Sequence, residues 1–288
     1  MFETLSRSWE FSKMSYGLLF RRKRLILFPV ISSLAAALVL ASFALPLWQA
    51  GVLAEWSQFM DAEAAEAGSP MMYVTAFCFY FCNYFVIVFF NTGLVACVLK
   101  IMNGEEATVS YGLSFAMKRL PQIFAWALFS AVIGVLLKVV ENSHKKAGAL
   151  IASVLGSAWT ALAYFVVPVI VTDGVGPVEA FKRSVKTLKS TWGTALVGNF
   201  SMGFFSFLLM LPVLPVLFVL FGLAVAAESA AATVAVVLLA IPVFMLLAAT
   251  TTAAGTVFRT YLYAYATGRT VPENLDTSRF DDAFRRRD

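Results

Sequence analysis

The stretch GPVEAFKRSVKTLKSTW, residues 176–192, places four cations and one acid between two long apolar runs. Its apolar residues recur at steps of three and four, the spacing of one stripe on an α-helix. They are Val178, Phe181, Val185, Leu188 and Trp192, and the bases on the other faces are Lys182, Arg183, Lys186 and Lys189. We predict a basic amphipathic helix in the membrane interface, where these four bases contact anionic lipid. The alternative is a helix that packs against its own bundle.

The sequence on both sides of this helix is that of a membrane protein. Of the 288 residues, 60% are apolar and 14% charged, whereas a soluble domain is about half apolar and a quarter charged. The excess lies in six runs that almost lack charge: 25–47, 71–98, 123–137, 147–171, 195–227 and 230–257. A membrane-spanning helix needs about 20 such residues. We expect Lys138 to extend the short third run, because a lysine side chain can snorkel to the surface.

The bases are distributed unevenly around these runs. All but three of the 22 lysines and arginines lie before the first run, after the last, or in the segments that follow the second and fourth. The positive-inside rule therefore predicts that both termini are cytoplasmic. The segment 48–70 has four acids and no base, which agrees with an outside location. We expect a multi-pass protein of the bacterial plasma (inner) membrane.

The basic helix has two weaker counterparts. RSWEFSKMSY (7–16) aligns with RSVKTLKSTW (183–192), and GLSFAMKRLPQIF (112–124) gives a looser third copy. The second, fourth and sixth runs also end alike, each with a glycine where a helix should stop. These glycines are Gly104, Gly174 and Gly268.

The repeated pattern predicts an all-α polytopic membrane protein. Its six transmembrane helices form three parallel hairpin repeats, each preceded by a cytoplasmic amphipathic helix. The six-helix membrane domain covers residues 1–272, with repeat units at about 5–108, 109–176 and 177–272. Residues 273–288 form a short charged cytoplasmic C-terminal tail.

The stretch GVGPVEAFKRSVKTLKSTWG (174–193) resembles the recurring signature of a group of uncharacterised bacterial six-span integral membrane proteins. FPVISSL (28–34) and YFVVPVIV (164–171) extend the resemblance over nearly the whole chain. The chain is also distantly similar to the membrane domain attached to some glycerophosphodiester phosphodiesterases. The resemblance implies a six-helix membrane domain, and it offers no activity or catalytic residue to carry over.

Residues that could perform catalysis or hold a metal are few. The single histidine, His144, excludes a histidine-based triad and a histidine-rich metal site. The three cysteines all lie in the second run, where buried thiols behave as small apolar residues. We expect no enzyme activity, cofactor, metal or nucleic-acid partner.

Polar residues at membrane depth are better candidates for a functional site, because each is costly in lipid. They are Asn83, Asn91, Thr92, Asn199, Thr250, Thr251, Thr252 and Arg259. One interpretation is a polar path or pocket between the second and sixth helices. The other, which we favour, is hydrogen bonding between helices. Arg259 is close enough to the end of its helix to snorkel to the cytoplasmic surface.

These observations predict a non-enzymatic integral membrane protein that binds, moves or organises lipid or another small amphiphile. One alternative is a homo-oligomeric channel or transporter with the polar path between helices two and six. The other is a membrane enzyme or enzyme accessory domain, which the poverty of catalytic groups makes the least favoured. The expected partners are membrane lipids, anionic lipid among them, and further copies of the chain if the protein is a homo-oligomer.

Overall fold

The structure, a computed structural model, is built of α-helices. It describes residues 2–60, 69–143 and 147–269, and their side chains except those of residues 2–11 and 192–201. One 3₁₀ helix, Lys23–Ile26, follows α1, and the described residues contain no strand. The helices are α1 (Phe2–Arg21), α2 (Leu27–Gln49), α3 (Leu53–Met60), α4 (Pro70–Met102), α5 (Val109–Lys118), α6 (Leu120–Ser143), α7 (Ala147–Leu162), α8 (Val166–Asp173), α9 (Pro177–Met210), α10 (Val213–Ala226) and α11 (Ala230–Ala266).

Six helical segments of the described chain are long and apolar enough to cross a membrane. We number them spans 1 to 6: Lys23–Gln49, Pro70–Met102, Leu120–Ser143, Ala147–Asp173, Met202–Ala226 and Ala230–Ala266. The prediction of an all-α protein with six membrane-spanning helices is confirmed. The grouping into three parallel repeats stays a prediction, and the proposed tail 273–288 lies outside the described residues.

Exposed apolar side chains cover α10 and the first half of α11. Phe218 is 78% exposed and Leu238 is 63% exposed. A soluble protein rarely exposes so large a continuous apolar surface. In a bilayer, by contrast, lipid tails solvate such side chains, so this surface suits a membrane protein.

The chain divides into two compact units. The terminal unit contains Met1–Val30, Cys97–Val109 and Thr191–Asp288. The central unit contains Ile31–Ala96 and Ser110–Ser190. Each unit is described by itself below.

The core of the terminal unit lies between α1 and the C-terminal part of α11. The buried residues of α1 recur at helical spacing: Ser12, Ser15, Tyr16 and Leu19. The Tyr16 hydroxyl lies 3.2 Å from the Ser206 hydroxyl, and its ring stacks on Phe205 with centroids 5.3 Å apart. In α11 the buried residues run from Ala249 to Ala264. These contacts seat the amphipathic N-terminal helix on the unit.

The core of the central unit lies between α6, α7 and the start of α9. Trp159 stacks on Trp126 at 5.5 Å and on Phe181 at 5.1 Å between ring centroids. Helix α7 approaches the end of α6 closely at Gly148, where an added Cβ would lie 2.5 Å from the Glu141 carbonyl oxygen. A glycine is therefore required there, because any side chain would collide with backbone.

Span 4 is broken, which the sequence did not predict. Helix α7 ends at Leu162 and α8 begins at Val166. Pro168 lies in the first turn of α8, where its missing N–H cannot extend the hydrogen bonding of α7. Ser184 of α9 compensates, since its hydroxyl donates to the Leu162 carbonyl at 2.7 Å and accepts from the Phe165 N–H at 3.0 Å.

The predicted basic amphipathic helix is the first part of α9, and it continues without interruption toward span 5. Its buried residues are Ala180, Ser184, Leu188 and Thr191, whereas Val178 is 53% exposed. The buried stripe is rotated by about 80° from the predicted apolar stripe on a helix of 3.6 residues per turn. The helix therefore packs by its small and polar residues as well as its apolar ones.

Lys138 does not behave as the sequence analysis expected. Its side chain is buried, and its Nζ lies 3.0 Å from Glu141 Oε2 one turn ahead on α6. The same Nζ lies 5.5 Å from the centroid of the Phe59 ring. The expectation that Lys138 snorkels to the surface is wrong, because a carboxylate and an aromatic face solvate the ammonium group inside the central unit.

Candidate functional site

A cavity of about 510 Å³ lies in the terminal unit where α1 gives way to the 3₁₀ helix. Four consecutive bases, Arg21 to Arg24, form one wall, together with Phe20 and Leu25. The segment 106–109, which leads into α5, forms the other. We call this space the basic cavity.

The backbone explains why all four bases are displayed there. Helix α1 ends with the Arg22 N–H donating to the Leu18 carbonyl at 2.8 Å, after which the chain tightens into the 3₁₀ helix. Three residues per turn send successive side chains about 120° apart. Leu19 and Leu25 are buried on either side of the bases and fix the turn. The bases are consequently held in place by their apolar neighbours while their charged ends stay exposed.

The opposite wall is set by the end of α4. Gly104 has a φ of +80°, a left-handed conformation that a glycine adopts freely. The extended residues that follow bring Glu106 Oε1 to 3.3 Å from Arg22 Nη1. Both side chains are largely exposed, and such a pair contributes only about 0–1 kcal/mol. A competing anion could therefore displace Glu106 at little cost.

The basic cavity combines the two properties that an anionic amphiphile needs. Three arginines and a lysine face one carboxylate in the lining. Arginine binds phosphate through two parallel N–H donors, and lysine binds it as a compact charge. Phe20, Leu25 and Val109 supply apolar surface beside the charges. The volume lies within the range of about 300–1,000 Å³ that is usual for ligand pockets.

A second polar cluster holds the start of α9 against the end of α8 in the central unit. Arg183 Nη1 lies 2.8 Å from Asp173 Oδ2, and its Nε donates to Glu179 Oε1 at 2.8 Å. The hydrogen bonds that Arg183 donates, first to Glu179 and then to Asp173, raise the pKa of Arg183 above its ordinary value. The guanidinium group is therefore always charged.

Two further side chains complete this cluster by capping α8. Arg119 donates to the Val171 carbonyl at 3.3 Å, and Gln122 donates to the Gly174 carbonyl at 3.2 Å. The last carbonyls of a helix lack partners within it, so these bonds satisfy them. The role of the cluster within this molecule is thus structural, because it joins α6, α8 and α9.

The four bases predicted to contact anionic lipid differ in whether they are already paired within the protein. Arg183 is already engaged by two carboxylates. Lys182, Lys186 and Lys189 are exposed and form no ion pair within the described part of the chain. Contact of these bases with anionic lipid stays a prediction, and the three lysines are the better candidates for it.

The predicted polar residues of span 2 lie in the central unit. The Asn83 amide donates to the Phe79 carbonyl of its own helix at 3.0 Å. Asn91 is half-buried. Thr92 is fully buried, and its hydroxyl has no hydrogen-bond partner among the described residues.

The predicted polar residues of span 6 lie in the terminal unit. The Thr250 hydroxyl donates to the Leu246 carbonyl of its own helix at 2.8 Å. Thr251 is half-buried, whereas Thr252 and Arg259 are exposed. The side chain of Asn199, the candidate in the fifth apolar run, lies outside the described part. A polar path between spans 2 and 6 stays a prediction.

Sequence reasoning used Arg21 to Arg24 only to orient the chain and did not recognise them as a candidate site. The available signal was a run of four bases directly before an apolar run, which is typical of a segment that binds anionic headgroups. Glu106 gave no such signal, because only the fold brings it to Arg22. Among the described residues, no group of three or more His, Cys, Asp or Glu side chains could hold a metal ion.

A family model described as "Family of unknown function (DUF6159)" matches residues 70–271. The match begins at α4 and extends beyond the end of α11, so it includes Glu106. The bases Arg21 to Arg24 precede the matched residues. The comparisons with curated proteins and with solved structures gave no match.

Proposed function

Because the chain belongs to DUF6159, a family of unknown function, we propose a function from its own physical features: it is a non-enzymatic membrane protein that binds anionic lipid. The basic cavity takes the phosphate-bearing headgroup, and Phe20 and Leu25 contact the adjoining part of the acyl chains. The single observation that carries this proposal is the set of four consecutive bases around a space of about 510 Å³.

The position of the basic cavity along the spans supports a lipid headgroup as the ligand. Span 1 begins at Lys23 and span 2 ends at Met102, and the cavity is lined by residues on both sides of the start of span 1 and by residues shortly after the end of span 2. The ends of spans lie at the boundary between hydrocarbon and water, which is where headgroups lie. Each base near an anionic surface contributes about 1 kcal/mol of attraction, so four bases are sufficient for preferential binding.

The proposal includes a location and an orientation. We propose that the protein resides in the bacterial plasma membrane with both termini in the cytoplasm. The bases of the cavity then face the leaflet surface that attracts polybasic segments. The exposed lysines of α9 would add a second, less defined contact with the same surface.

The proposal is tested by removing the four charges. Arg21, Arg22, Lys23 and Arg24 are replaced together by Gln, and the purified proteins are compared by native mass spectrometry after incubation with equal amounts of phosphatidylglycerol and phosphatidylcholine. We expect the wild type to retain phosphatidylglycerol preferentially and the variant to lose that preference. The preference should also fall at high salt, because exposed charges are screened.

The matched control removes bases outside the cavity. Lys182, Lys186 and Lys189 are replaced by Gln in a second variant, which should keep the discretely bound phosphatidylglycerol. If both variants lose it equally, general basicity explains the binding and the cavity has no specific role. If neither variant changes the preference, the proposed function is wrong.

A further inference from the structure

A second cavity, of about 160 Å³, lies in the central unit beneath α3. We call it the α3 slot. Its lining comes from the end of α2, from α3 with the residue before it, and from the start of α4, and includes Leu47, Val52, Glu55, Trp56, Met71 and Met72. Among the described residues that line it, Glu55 is the one charged side chain.

Helix α3, which covers the slot, is held in place by its two buried aromatic residues, Trp56 and Phe59. The Trp56 ring meets Phe79 edge to face at 6.3 Å, and the Phe59 ring meets Tyr73 in the same way at 5.0 Å. Such pairs add about 0.5–1.5 kcal/mol beyond the area that they bury. The slot therefore exists before any ligand arrives.

Lys138 of α6 also holds α3 in place, through a contact with Phe59. Its ammonium group lies against the Phe59 ring and is paired with Glu141, so the buried charge is both neutralised and stacked. Lys138 does not line the slot. It is a positioning residue for α3, and its pairing with Glu141 keeps its positive charge from opposing a cation in the slot.

We propose that the α3 slot binds a small organic cation, an ammonium ion that carries one ring or a short alkyl chain. The volume is close to the roughly 150 Å³ that accommodates a benzene ring in an apolar cavity. Trp56 offers the aromatic face that attracts cations most strongly, and the thioethers of Met71 and Met72 adapt to varied apolar groups.

The charges around the slot select a cation over an anion. Glu55 is exposed and forms no ion pair within the described chain, so its carboxylate is free to pair with a ligand. The described residues around it, 48–60 and 69–70, contain no base. A neutral acyl chain would fill the apolar part of the slot and leave this carboxylate unused, which is why we assign the slot to a cation.

The test uses the full chain in maltoside micelles, which contain no ammonium group. Isothermal titration calorimetry compares benzyltrimethylammonium with benzyl alcohol and phenylacetate. We expect saturable binding of the cation, binding of benzyl alcohol at least about fivefold weaker, and still weaker binding of phenylacetate. A factor of about five corresponds to the roughly 1 kcal/mol that a close charge pair contributes near water.

Glu55→Gln is the decisive variant. It should weaken binding of benzyltrimethylammonium by about fivefold and leave benzyl alcohol unchanged. Glu228→Gln is the matched control, since Glu228 is also an acid between two spans and does not line the slot. Lys138→Met should weaken the binding of the cation and of benzyl alcohol to the same extent, because it loosens α3 without changing the charge of the slot lining.

Three results would overturn the proposal. One is equal affinity of wild type and Glu55→Gln for the cation while both proteins unfold at the same temperature. Another is equal affinity of the wild type for benzyl alcohol and the cation, which would identify a slot for lipid chains. The third is the absence of saturable cation binding to the folded wild type. If Lys138→Met does not fold, the comparison of Glu55→Gln with Glu228→Gln still decides.

Discussion

Single residues explain where the helices of this protein stop. Gly104, Gly174 and Gly268 were predicted to end helices, and each has a positive φ. At Gly174 the reason is doubled, because φ is +64° and an added Cβ would collide with the Arg119 guanidinium group. That guanidinium also donates to the Val171 carbonyl, so the same close approach both ends α8 and satisfies one of its last carbonyls.

A substitution at Thr92 can distinguish helix packing from a polar path through the membrane. Its buried hydroxyl has no partner among the described residues, and an unsatisfied buried hydroxyl costs about 1–3 kcal/mol. If Thr92 only packs, Thr92→Val should leave the thermal stability in detergent unchanged or raise it, because valine has the same shape without the hydroxyl.

Thr250→Val is the control for this comparison. The Thr250 hydroxyl is buried and hydrogen-bonded to the Leu246 carbonyl, so its removal should cost on the order of 1 kcal/mol. A larger loss of stability for Thr92→Val than for Thr250→Val would show that Thr92 holds a polar partner in the intact protein. That result would favour a polar path over packing.

At the scale of helices, the break in span 4 depends on Ser184. Replacing Ser184 by Ala removes the hydroxyl that donates to the Leu162 carbonyl and accepts from the Phe165 N–H. Each lost hydrogen bond to a buried group costs about 1–2 kcal/mol, so we expect Ser184→Ala to lower the free energy of unfolding by about 2–4 kcal/mol. The measurement is chemical or thermal unfolding in detergent, followed by circular dichroism.

Ser190→Ala is the matched control on the same helix. The Ser190 hydroxyl is exposed and bonds only to the Thr187 carbonyl one turn earlier, so its loss should change stability by no more than about 0.5 kcal/mol. Equal effects of the two substitutions would mean that the backbone around Pro168 holds the break without help from α9.

The sequence predicted elements that arise from local patterns and missed those that depend on distant partners. Six apolar runs became six spans because length and hydropathy are properties of each run alone. The break in span 4 was missed because its compensating hydroxyl, Ser184, lies on another helix. The face of α9 that is buried in the protein was not predicted for the same reason, since packing against the end of α7 recruits a serine that hydropathy assigns to the surface.

The candidate sites follow the same division. The four bases at 21–24 are visible in the sequence, but their cavity requires the segment after α4 to return to them. Lys138 was assigned to the surface because a lysine at the end of a span usually snorkels. Its partner Glu141 lies one turn ahead on the same helix, but the contact with Phe59 becomes evident only when α3 is placed over α6.

At the scale of the whole molecule, the predicted topology assigns the segments before and after span 2 to opposite sides of the membrane. The basic cavity includes the segment after span 2, whereas the α3 slot lies in the segment between spans 1 and 2. A span reverses the side of the membrane on which the chain lies. An anionic headgroup and a small organic cation would therefore reach the protein from different compartments, which makes the topology the common premise of both proposals.

The topology is tested by single cysteines in a chain whose Cys78, Cys82 and Cys97 have been replaced by Ala. Ser57 lies between spans 1 and 2, Glu105 between spans 2 and 3, and both are exposed. In intact cells, a maleimide that cannot cross the membrane should label Ser57→Cys, whereas Glu105→Cys should react only after the membrane is permeabilised. This expected orientation follows from the bases after spans 2 and 4 and the positive-inside rule.

Two more positions make the test independent of any one loop. Glu228→Cys, between spans 5 and 6, should behave as Ser57→Cys does, and Lys182→Cys, between spans 4 and 5, should behave as Glu105→Cys does. If all four positions showed the opposite labelling from that expected, the orientation would be reversed and the six spans would still hold. Labelling of Ser57→Cys and Glu105→Cys from the same side would mean that span 2 does not cross, and the six-span arrangement would then be wrong.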